Sequence, residues 1–172
     1  MKKHKAKKHA KKHVKKNKGF SLIELLIVVA IILIIAAIAI PNLLRSRIAA
    51  NEASAVGSVR TLNTAEVTYN TTYPSVGFTA LANLGPVTGG SPTSSAAGLI
   101  DANLASGVKS GYSFTVTAGG GTPVASYESA ASPVTAGTTG QRYFCSDSSG
   151  VIQYNATAPT GTTCASGSNN PI

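Results

Sequence analysis

Few side chains in this sequence could do chemistry beyond packing, and the carboxylate of Glu24 and the thiols of Cys145 and Cys164 are the clearest candidates. Glu24 lies directly before the stretch 25–40, in which every side chain is apolar. A charged side chain near the middle of a bilayer costs roughly 2.5 to 3.5 kcal/mol, so such residues are usually paired or functional. Glu24 is close to one end of the apolar run, where the headgroups lower this cost. We therefore expect its carboxylate either to be tolerated at the membrane interface or to pair with a cation.

The usual components of a catalytic site are missing from the sequence. No histidine follows His13, the acids are scattered singly, and no Ser or Cys stands beside a candidate base. His4, His9 and His13 have no Cys, Asp or Glu near them, so a metal site is not predicted there. The tract Gly89–Pro92 lacks the lysine that a phosphate-binding loop requires. We predict that the protein is not an enzyme and uses no cofactor or metal.

Positive charge is concentrated in the amino-terminal leader. Its lysines occupy positions 2, 3, 5, 7, 8, 11, 12, 15, 16 and 18. The charged residues after the leader are Arg45, Arg47, Arg60, Lys109 and Arg142 against Glu24, Glu52, Glu66, Asp101, Glu128 and Asp147, a sum of minus one. The net charge of +9 therefore belongs to the leader, which argues against a nucleic-acid surface on the rest of the chain. Under the positive-inside rule the amino terminus stays in the cytoplasm and everything after about Pro41 lies outside.

The apolar run is long enough to cross a membrane. Phe20 to Ile40 is 21 residues, which at about 1.5 Å per residue can span roughly 30 Å of hydrocarbon. Pro41 lacks a backbone donor and is predicted to kink or loosen the helix. The helix should still continue to Tyr73, because Pro74 disfavours helical angles in the residue before it. Helical spacing places one set of apolar residues of this second half on a common face: Ile48, Ala55, Val59, Leu62, Tyr69 and Tyr73.

After Pro74 the sequence changes to Gly, Ser, Thr and Ala with short β-prone runs. Residues 74–110 show few periodic signals and are expected to form a long loop with a short helical turn. Four strands are predicted, at Tyr112–Thr117, Val124–Ser129, Gln141–Ser146 and Val151–Asn155. Turns are predicted at Gly119–Gly121 and Ser148–Gly150. The predicted fold class is α+β, with a long amino-terminal helix whose amphipathic half packs on a small antiparallel sheet of about four strands.

The junction Lys18-Gly19-Phe20-Ser21-Leu22-Ile23-Glu24, followed by the apolar run and Pro41-Asn42-Leu43, resembles the amino terminus of type IV pilin precursors and the related pseudopilins. The resemblance covers residues 18 to about 47 and continues more weakly to 73. It implies that a prepilin peptidase cuts between Gly19 and Phe20 and methylates the new amino group of Phe20. It also implies that Glu24 pairs with the amino terminus of Phe20 in a neighbouring subunit.

The same resemblance suggests how the chain is divided. It implies a basic leader, 1–19, that is removed, a transmembrane and filament-core helix, 20–50, and a headgroup, 51–172. The expected parts of the headgroup are an amphipathic helical half (51–73), a variable loop (74–110), a sheet (111–155) and a disulfide-bounded region (145–164). Cys145 and Cys164 both fall on the exported side, where oxidising conditions favour a disulfide between them.

The function implied by the resemblance is that of a structural subunit of a type IV pilus, with adhesion, twitching motility or DNA uptake as its role. Its implied partners are copies of itself, the prepilin peptidase, an assembly ATPase, an inner-membrane platform protein and an outer-membrane secretin. Nucleic acid would bind only to the multivalent fibre. The expected location is the inner membrane as a single-pass precursor and then a filament on the cell surface. A pseudopilin of a type II secretion system is the alternative, and a monomeric membrane-anchored binding module is a further one.

Overall fold

The computed structural model of the chain describes residues 19–157, Cys164 and residues 170–172. The predicted leader up to Lys18, including its three histidines, lies outside the described residues. The chain divides into two compact units, and the boundary falls between Ile40 and Pro41.

The first helix, α1, runs from Leu22 to Thr72 and includes Pro41. It ends just before Pro74, and the N–H of Tyr73 still donates to the carbonyl of Tyr69 at 2.8 Å. Its helical structure continues through Pro41, and the kink expected there stays a prediction. Within the second unit one face of α1 is buried, at Glu52, Ala55, Ser58, Val59, Leu62, Ala65, Glu66 and Tyr69. The predicted apolar face is therefore correct at its centre, whereas Ile48 and Tyr73 are only half-buried.

The segment between α1 and the sheet contains short elements that cover one end of the core. A 3₁₀ helix spans Leu81–Leu84 and a one-turn helix, α2, spans Ala102–Ala105. Asp101 caps α2, because its carboxylate accepts a hydrogen bond from the N–H of Leu104 at 3.0 Å. Leu84, Ile100 and Leu104 are buried, so this segment packs as part of the domain.

A six-stranded antiparallel sheet follows, in which every strand pairs with its neighbours in chain order. The strands are β1 (Val108–Lys109), β2 (Tyr112–Ala118), β3 (Tyr127–Pro133), β4 (Tyr143–Asp147), β5 (Ile152–Asn155) and β6 (Asn170–Pro171). Four of them correspond to the predicted strands, and the two-residue strands β1 and β6 were not predicted. The α+β fold class is confirmed.

The second predicted strand was placed too early, and the backbone hydrogen bonds of Val124 are the reason. Val124–Ser129 was expected to be the strand, but β3 occupies Tyr127–Pro133. The backbone N–H of Val124 donates to the carbonyl of Val76 at 2.8 Å, and its carbonyl accepts from Phe78 at 3.0 Å. Val124 therefore joins the segment after α1 rather than the sheet, despite its high β propensity.

The third predicted strand began too early for a different reason. Gln141–Ser146 was expected, and β4 begins only at Tyr143. The backbone N–H groups of Gln141 and Arg142 point at the Glu52 carboxylate, at 2.9 and 3.2 Å. Hydrogen bonds to a side chain of α1 thus replace the sheet ladder at these two residues.

The core lies between the buried face of α1 and the inner face of the sheet. Alternate residues of the sheet face inward, with Tyr112, Phe114, Val116, Tyr127, Ala131, Phe144 and Ile152 all buried. The rings of Tyr112 and Phe144 lie 5.9 Å apart between centroids. Each large side chain buried here contributes about 1.5 to 3 kcal/mol. The folded unit from Pro41 onwards therefore has a core independent of the apolar run.

Candidate functional site

The predicted processing site lies just before α1. Gly19 and Phe20 are exposed, and 87% of the accessible surface of Phe20 is free. Helical structure begins at Leu22, and the first bond of the helix runs from the N–H of Leu25 to the carbonyl of Ser21 at 3.2 Å. Gly19 and Phe20, on either side of the predicted cleavage, are therefore non-helical and exposed. The residues before it lie outside the described part of the chain.

Glu24 lies in the first turn of α1 and is exposed. An acid at this position interacts favourably with the positive end of the helix dipole, typically by about 0.3 to 1 kcal/mol. Within the described residues, ion pairs join Lys109 to Asp101 and Arg142 to Glu52, and neither involves Glu24. Its carboxylate therefore has no ion-pair partner in the part of the chain that the structure describes.

The apolar run between Glu24 and Pro41 presents its side chains outward in the monomer. Most residues of the run are large and apolar with about half or more of their surface exposed, including Leu25, Ile27, Ile32, Leu33, Ile34 and Ile38. The helix has the length and composition needed to cross a membrane. A contiguous apolar surface of this size is rare on soluble monomers and marks contact with lipid or with other protein. The run thus requires a partner.

The buried Glu52 and the exposed Arg142 form an ion pair that connects α1 to the sheet. Oε2 of Glu52 accepts from Nε of Arg142 and lies 2.7 Å from its Nη2, while Oε1 accepts both backbone bonds described above. The guanidinium also lies over the rings of Phe144 and Tyr154, 5.5 and 5.3 Å from their centroids. Burial favours a raised pKa for Glu52, but the hydrogen bonds from Gln141 and Arg142 outweigh it and lower the pKa below its usual value.

Asn63 connects α1 to the middle of the sheet. Its amide nitrogen donates to the hydroxyl of Ser146 at 2.8 Å. Its Oδ1 accepts from the hydroxyls of Tyr127 at 3.2 Å and Ser129 at 3.3 Å. Ser129 and Ser146 are fully buried, so this one side chain satisfies several polar groups that water cannot reach.

Glu66 is fully buried but incompletely bonded. Its Oε2 accepts from the N–H of Thr79 at 3.1 Å, and its Oε1 has no hydrogen-bond partner among the described residues. Burial raises the pKa of Glu66 to about 7, and the bond from Thr79 offsets only part of that effect. The carboxyl group therefore changes protonation near neutral pH.

These three polar positions of α1 were not identified from the sequence, although a signal existed. Glu52 lies seven residues before the buried Val59, and Glu66 lies seven residues after it. Glu52, Val59 and Glu66 therefore share one helix face. Polar residues at core positions are expected to have buried partners. The sequence alone does not show which strand residues those partners are.

The disulfide between Cys145 and Cys164 is confirmed. Cys145 lies on β4, facing away from α1, since its neighbours Phe144 and Ser146 point into the core. The bond ties Cys164 to the outer face of the sheet. No group of three or more His, Cys, Asp or Glu residues that could hold a metal occurs among the described residues.

Two clefts border α1 in the second unit. One, of about 300 Å³, is lined by Arg60, Thr61, Thr64, Ala65, Thr68 and Leu99. The other, of about 310 Å³, is lined by Arg45, Ile48, Ala49, Glu52 and Gln141. Neither lining combines a nucleophile with a general base, so neither has the groups for acyl transfer.

Comparison with known proteins identifies the amino-terminal segment. The prokaryotic N-terminal methylation motif matches residues 14–40. The type IV major pilin protein PilA of Myxococcus xanthus is 46% identical over 54 residues, which are 31% of this chain and 24% of the relative. The type IV wide pilus major component PilA4 of Thermus thermophilus is 69% identical over 35 residues, 20% of this chain and 27% of the relative.

The similarity is confined to part of each protein. The chain spans about a quarter of the length of these curated relatives. No solved structure matches the chain significantly. The matched region nevertheless includes Gly19, Phe20, Glu24 and the apolar run, on which the predicted resemblance rests. The chain therefore carries the amino-terminal methylation motif of the type IV pilin precursors, to whose major subunits its amino-terminal region is similar.

Proposed function

We propose that this protein is a structural subunit of a type IV pilus, which polymerises through α1 into a helical surface filament. The observation that carries the proposal is the exposed apolar run that begins beside Glu24, a carboxylate with no ion-pair partner among the described residues. The methylation motif over residues 14–40 supports it. Relatives that share the motif are named as major pilus components.

Processing prepares the chain for assembly. A prepilin peptidase cleaves between Gly19 and Phe20 and methylates the amino group of Phe20. The exposed, non-helical backbone at this bond suits such a cleavage. Removal of the lysine-rich leader leaves an ammonium group at Phe20, four residues before the carboxylate of Glu24.

Assembly pairs these two charges between copies. The ammonium group of Phe20 in one subunit meets the carboxylate of Glu24 in its neighbour, in low-dielectric surroundings where opposite charges attract strongly. Each charge also reduces the desolvation cost of the other, so removal of one leaves the other buried and uncompensated.

The apolar run supplies the free energy of polymerisation. Lipid covers its side chains in the precursor, and the apolar runs of other copies cover them in the filament. Burial of apolar surface contributes about 25 cal/mol per Å². In the filament this surface is covered without a membrane, so the subunit can leave the bilayer and remain stable.

The orientation and the partners follow from this function. The lysine-rich leader keeps the amino terminus of the inner-membrane precursor in the cytoplasm, and the unit from Pro41 onwards lies outside. An assembly ATPase, a platform protein and an outer-membrane secretin provide the work and the exit path. Adhesion, twitching motility and DNA uptake are the roles open to the fibre.

A type II secretion pseudopilin is the second candidate, because pseudopilins share the amino-terminal motif. The disulfide between Cys145 and Cys164 favours the pilin, since it stabilises a carboxy-terminal region suited to the outside of a fibre. The described residues also lack the clustered acidic side chains of a calcium loop. A monomeric anchored module would leave Glu24 without a role.

The decisive experiment is to shear the cell surface, pellet the filaments and measure the intact mass of the subunit in the pellet and in the membranes. We expect the mass of methylated Phe20 to Ile172, less two hydrogens for the disulfide, as the main species of the pellet. The same mass confined to membranes would favour the pseudopilin. An uncleaved leader in both fractions would refute the proposal.

A further inference from the structure

Arg45 is the first charged residue after Glu24 in the sequence. Leu43 and Leu44, with 61% and 51% of their surfaces exposed, extend the apolar surface of α1 to the residue directly before it. In a membrane-anchored chain whose leader stays in the cytoplasm, Arg45 therefore lies at the level of the lipid headgroups on the exported side. A cation at this end of a spanning helix opposes the orientation that the lysines set, and a local partner accounts for its place.

Arg45 also borders the cleft of about 310 Å³. Ile48, Ala49 and Glu52, which line the cleft with it, follow Arg45 by three, four and seven residues, so all four share one helix face. Gln141 completes the lining from the segment before β4. The volume is at the lower end of the range of ligand sites, about 300 to 1,000 Å³. The cleft can therefore hold a small headgroup.

Glu52 does not make this cleft negative. Its Oε1 accepts from the backbone N–H groups of Gln141 and Arg142, and its Oε2 binds the guanidinium of Arg142. Within the part of the chain that the structure describes, no acid forms an ion pair with Arg45. The free charge at the cleft is therefore positive. Its planar guanidinium can form two parallel hydrogen bonds to the oxygens of one phosphate group.

The rest of the lining suits a phosphate that is attached to apolar groups. Ile48 and Ala49 present apolar surface beside the guanidinium, and Gln141 supplies amide donors. Arginine commonly lays its aliphatic stem along apolar surface and keeps its charged end at a membrane interface. A phospholipid covers both kinds of surface, because its phosphodiester meets the cation and its glycerol and acyl groups meet the apolar lining. A free phosphate ion would cover only the first.

We propose that this cleft binds the phosphodiester of an anionic phospholipid from the exported leaflet, with Arg45 as the main ligand of the phosphate oxygens. The site rests on the membrane-anchored precursor of the proposed function and adds a lipid partner to it. Bound lipid holds this end of the folded unit at the membrane surface. The contact is released when the subunit leaves the bilayer.

Arginine-selective modification by phenylglyoxal tests the site in the full chain, because the leader contains lysines but no arginine. The chain is treated in micelles of a nonionic detergent, with and without phosphatidylglycerol. Mass spectrometry of peptides gives the rate of modification at each of the arginines, at positions 45, 47, 60 and 142. We expect the lipid to slow the modification of Arg45 by roughly fivefold, as one arginine near an anionic lipid surface contributes. The rate at Arg60 should not change.

Arg47 is the matched internal control, because it is an exposed residue of the same helix two positions further on and does not line the cleft. Equal slowing at Arg45 and Arg47 would mean that the lipid surface attracts any nearby cation, and it would overturn the site. Phosphatidylcholine, which has no net charge, should protect Arg45 less, and equal protection would contradict an anionic ligand. Equal protection by inorganic phosphate without phospholipid would overturn the lipid assignment.

Ala49→Leu gives a second test, since it keeps Arg45 and places a larger side chain in the cleft. We expect phosphatidylglycerol no longer to protect Arg45 in this variant. Ala50→Leu, at an exposed position outside the lining, is its control and should keep the protection. Persistent protection in Ala49→Leu would overturn the cleft as the site. The comparison of the unmodified chain with and without lipid holds even where a variant fails to fold.

The lipid site and the filament are tested separately. Modification is measured on single subunits in micelles, so a lack of protection at Arg45 overturns the lipid site and leaves the filament untouched. Absence of the processed subunit from sheared filaments contradicts the filament instead. A protected Arg45 in that case would belong to a membrane-anchored protein of another kind.

Discussion

Glu52 and Glu66 occupy the same buried face of α1, yet both oxygens of Glu52 accept hydrogen bonds, whereas one oxygen of Glu66 has no partner in the described part of the chain. The difference arises from the hydrogen-bond donors that face each carboxylate. Glu52 accepts from the guanidinium and the backbone of Arg142, whereas the one hydrogen bond to Glu66 from the described residues comes from the N–H of Thr79. The two acids should therefore affect stability with opposite dependence on pH.

Glu66→Gln is expected to stabilise the folded protein above neutral pH. The pKa of Glu66 is raised from 4.5 to about 7, so the folded state holds this proton more tightly than the unfolded state. The resulting stability is fully present below pH 4.5 and is lost as the pH rises towards 7. Glutamine is neutral throughout and, at about 1.36 kcal/mol per pKa unit, should increase the free energy of unfolding by about 3 kcal/mol at pH 8.

Thermal unfolding of the full chain in detergent micelles at pH 4 and pH 8 measures this effect. The Tm of the variant should exceed that of the wild type at pH 8, and the two should nearly coincide at pH 4. Equal displacement at both pH values would mean that ionisation of Glu66 does not limit stability.

Glu52→Gln should show the opposite pattern. The lowered pKa of Glu52 means that its ionised form stabilises the fold above pH 4.5, and this contribution is lost as the pH falls through the folded-state value. Because Arg142 is partly exposed, we expect a loss of about 1 to 2 kcal/mol at pH 7 and a smaller loss at pH 3.

Asp101→Asn is the matched control for Glu52→Gln. Asp101 also pairs with a cation, Lys109, but both side chains are substantially exposed. Because asparagine can also cap α2, Asp101→Asn should change the Tm at pH 7 less than Glu52→Gln does. A larger effect from Asp101→Asn than from Glu52→Gln would contradict the assignment of stability to the buried carboxylate of Glu52.

A structural feature could be predicted from the sequence when residues close together in the chain determine it. The helix end before Pro74, the apolar face around Val59 and the disulfide each follow from short-range pattern or composition. The α+β class follows because one amphipathic helix and several β-prone runs must cover each other's apolar faces. These features required no knowledge of which distant residues meet.

Strand boundaries and buried polar contacts depended on distant residues and were less predictable. The backbone of Val124 is hydrogen-bonded to Val76 and Phe78, and the N–H of Gln141 donates to Glu52. Both residues were predicted to lie in strands, but these partners, which are distant in sequence, hold them outside the sheet. β1 and β6 are two residues long and have no pattern that indicates a strand. Long-range hydrogen bonding therefore overrode local β propensity.

Asn63→Ala should destabilise the domain by about 1 to 3 kcal/mol, because it leaves the buried hydroxyls of Ser129 and Ser146 without their shared partner. Chemical denaturation at pH 7 measures the change. Asn70→Ala, at a half-buried position of the same helix, is the control and should have a smaller effect. Comparable losses at both positions would indicate that helix propensity, not the network, accounts for the result.

Reduction of the disulfide, or Cys145→Ser with Cys164→Ser, should lower the free energy of unfolding by about 3 kcal/mol, since the bond closes a loop across a sequence separation of 19. The helix and the strands before β4 should persist, because the core around Leu62 and Phe114 does not depend on the bond. Circular dichroism with and without reductant checks both points. Global unfolding on reduction at room temperature would contradict an independent core.

Glu24→Gln should abolish or strongly reduce filament assembly while leaving the folded unit from Pro41 onwards intact. The variant keeps the shape of the side chain and removes the charge that the amino group of Phe20 needs in a low-dielectric filament core. An uncompensated buried charge costs about 3 to 5 kcal/mol. That cost recurs in every subunit added, so a polymer amplifies it far beyond its effect on a monomer.

Measurement of pelleted filament and of membrane-bound subunit separates the possible causes. We expect the Glu24→Gln chain to be cleaved after Gly19, present in the membrane and absent from the pellet, with an unchanged Tm. Asp101→Asn, which also removes one exposed carboxylate, should assemble normally. Normal assembly of the Glu24→Gln chain would mean that the carboxylate only interacts with the dipole at the start of α1. The charge pair with Phe20 would then have no part in the filament.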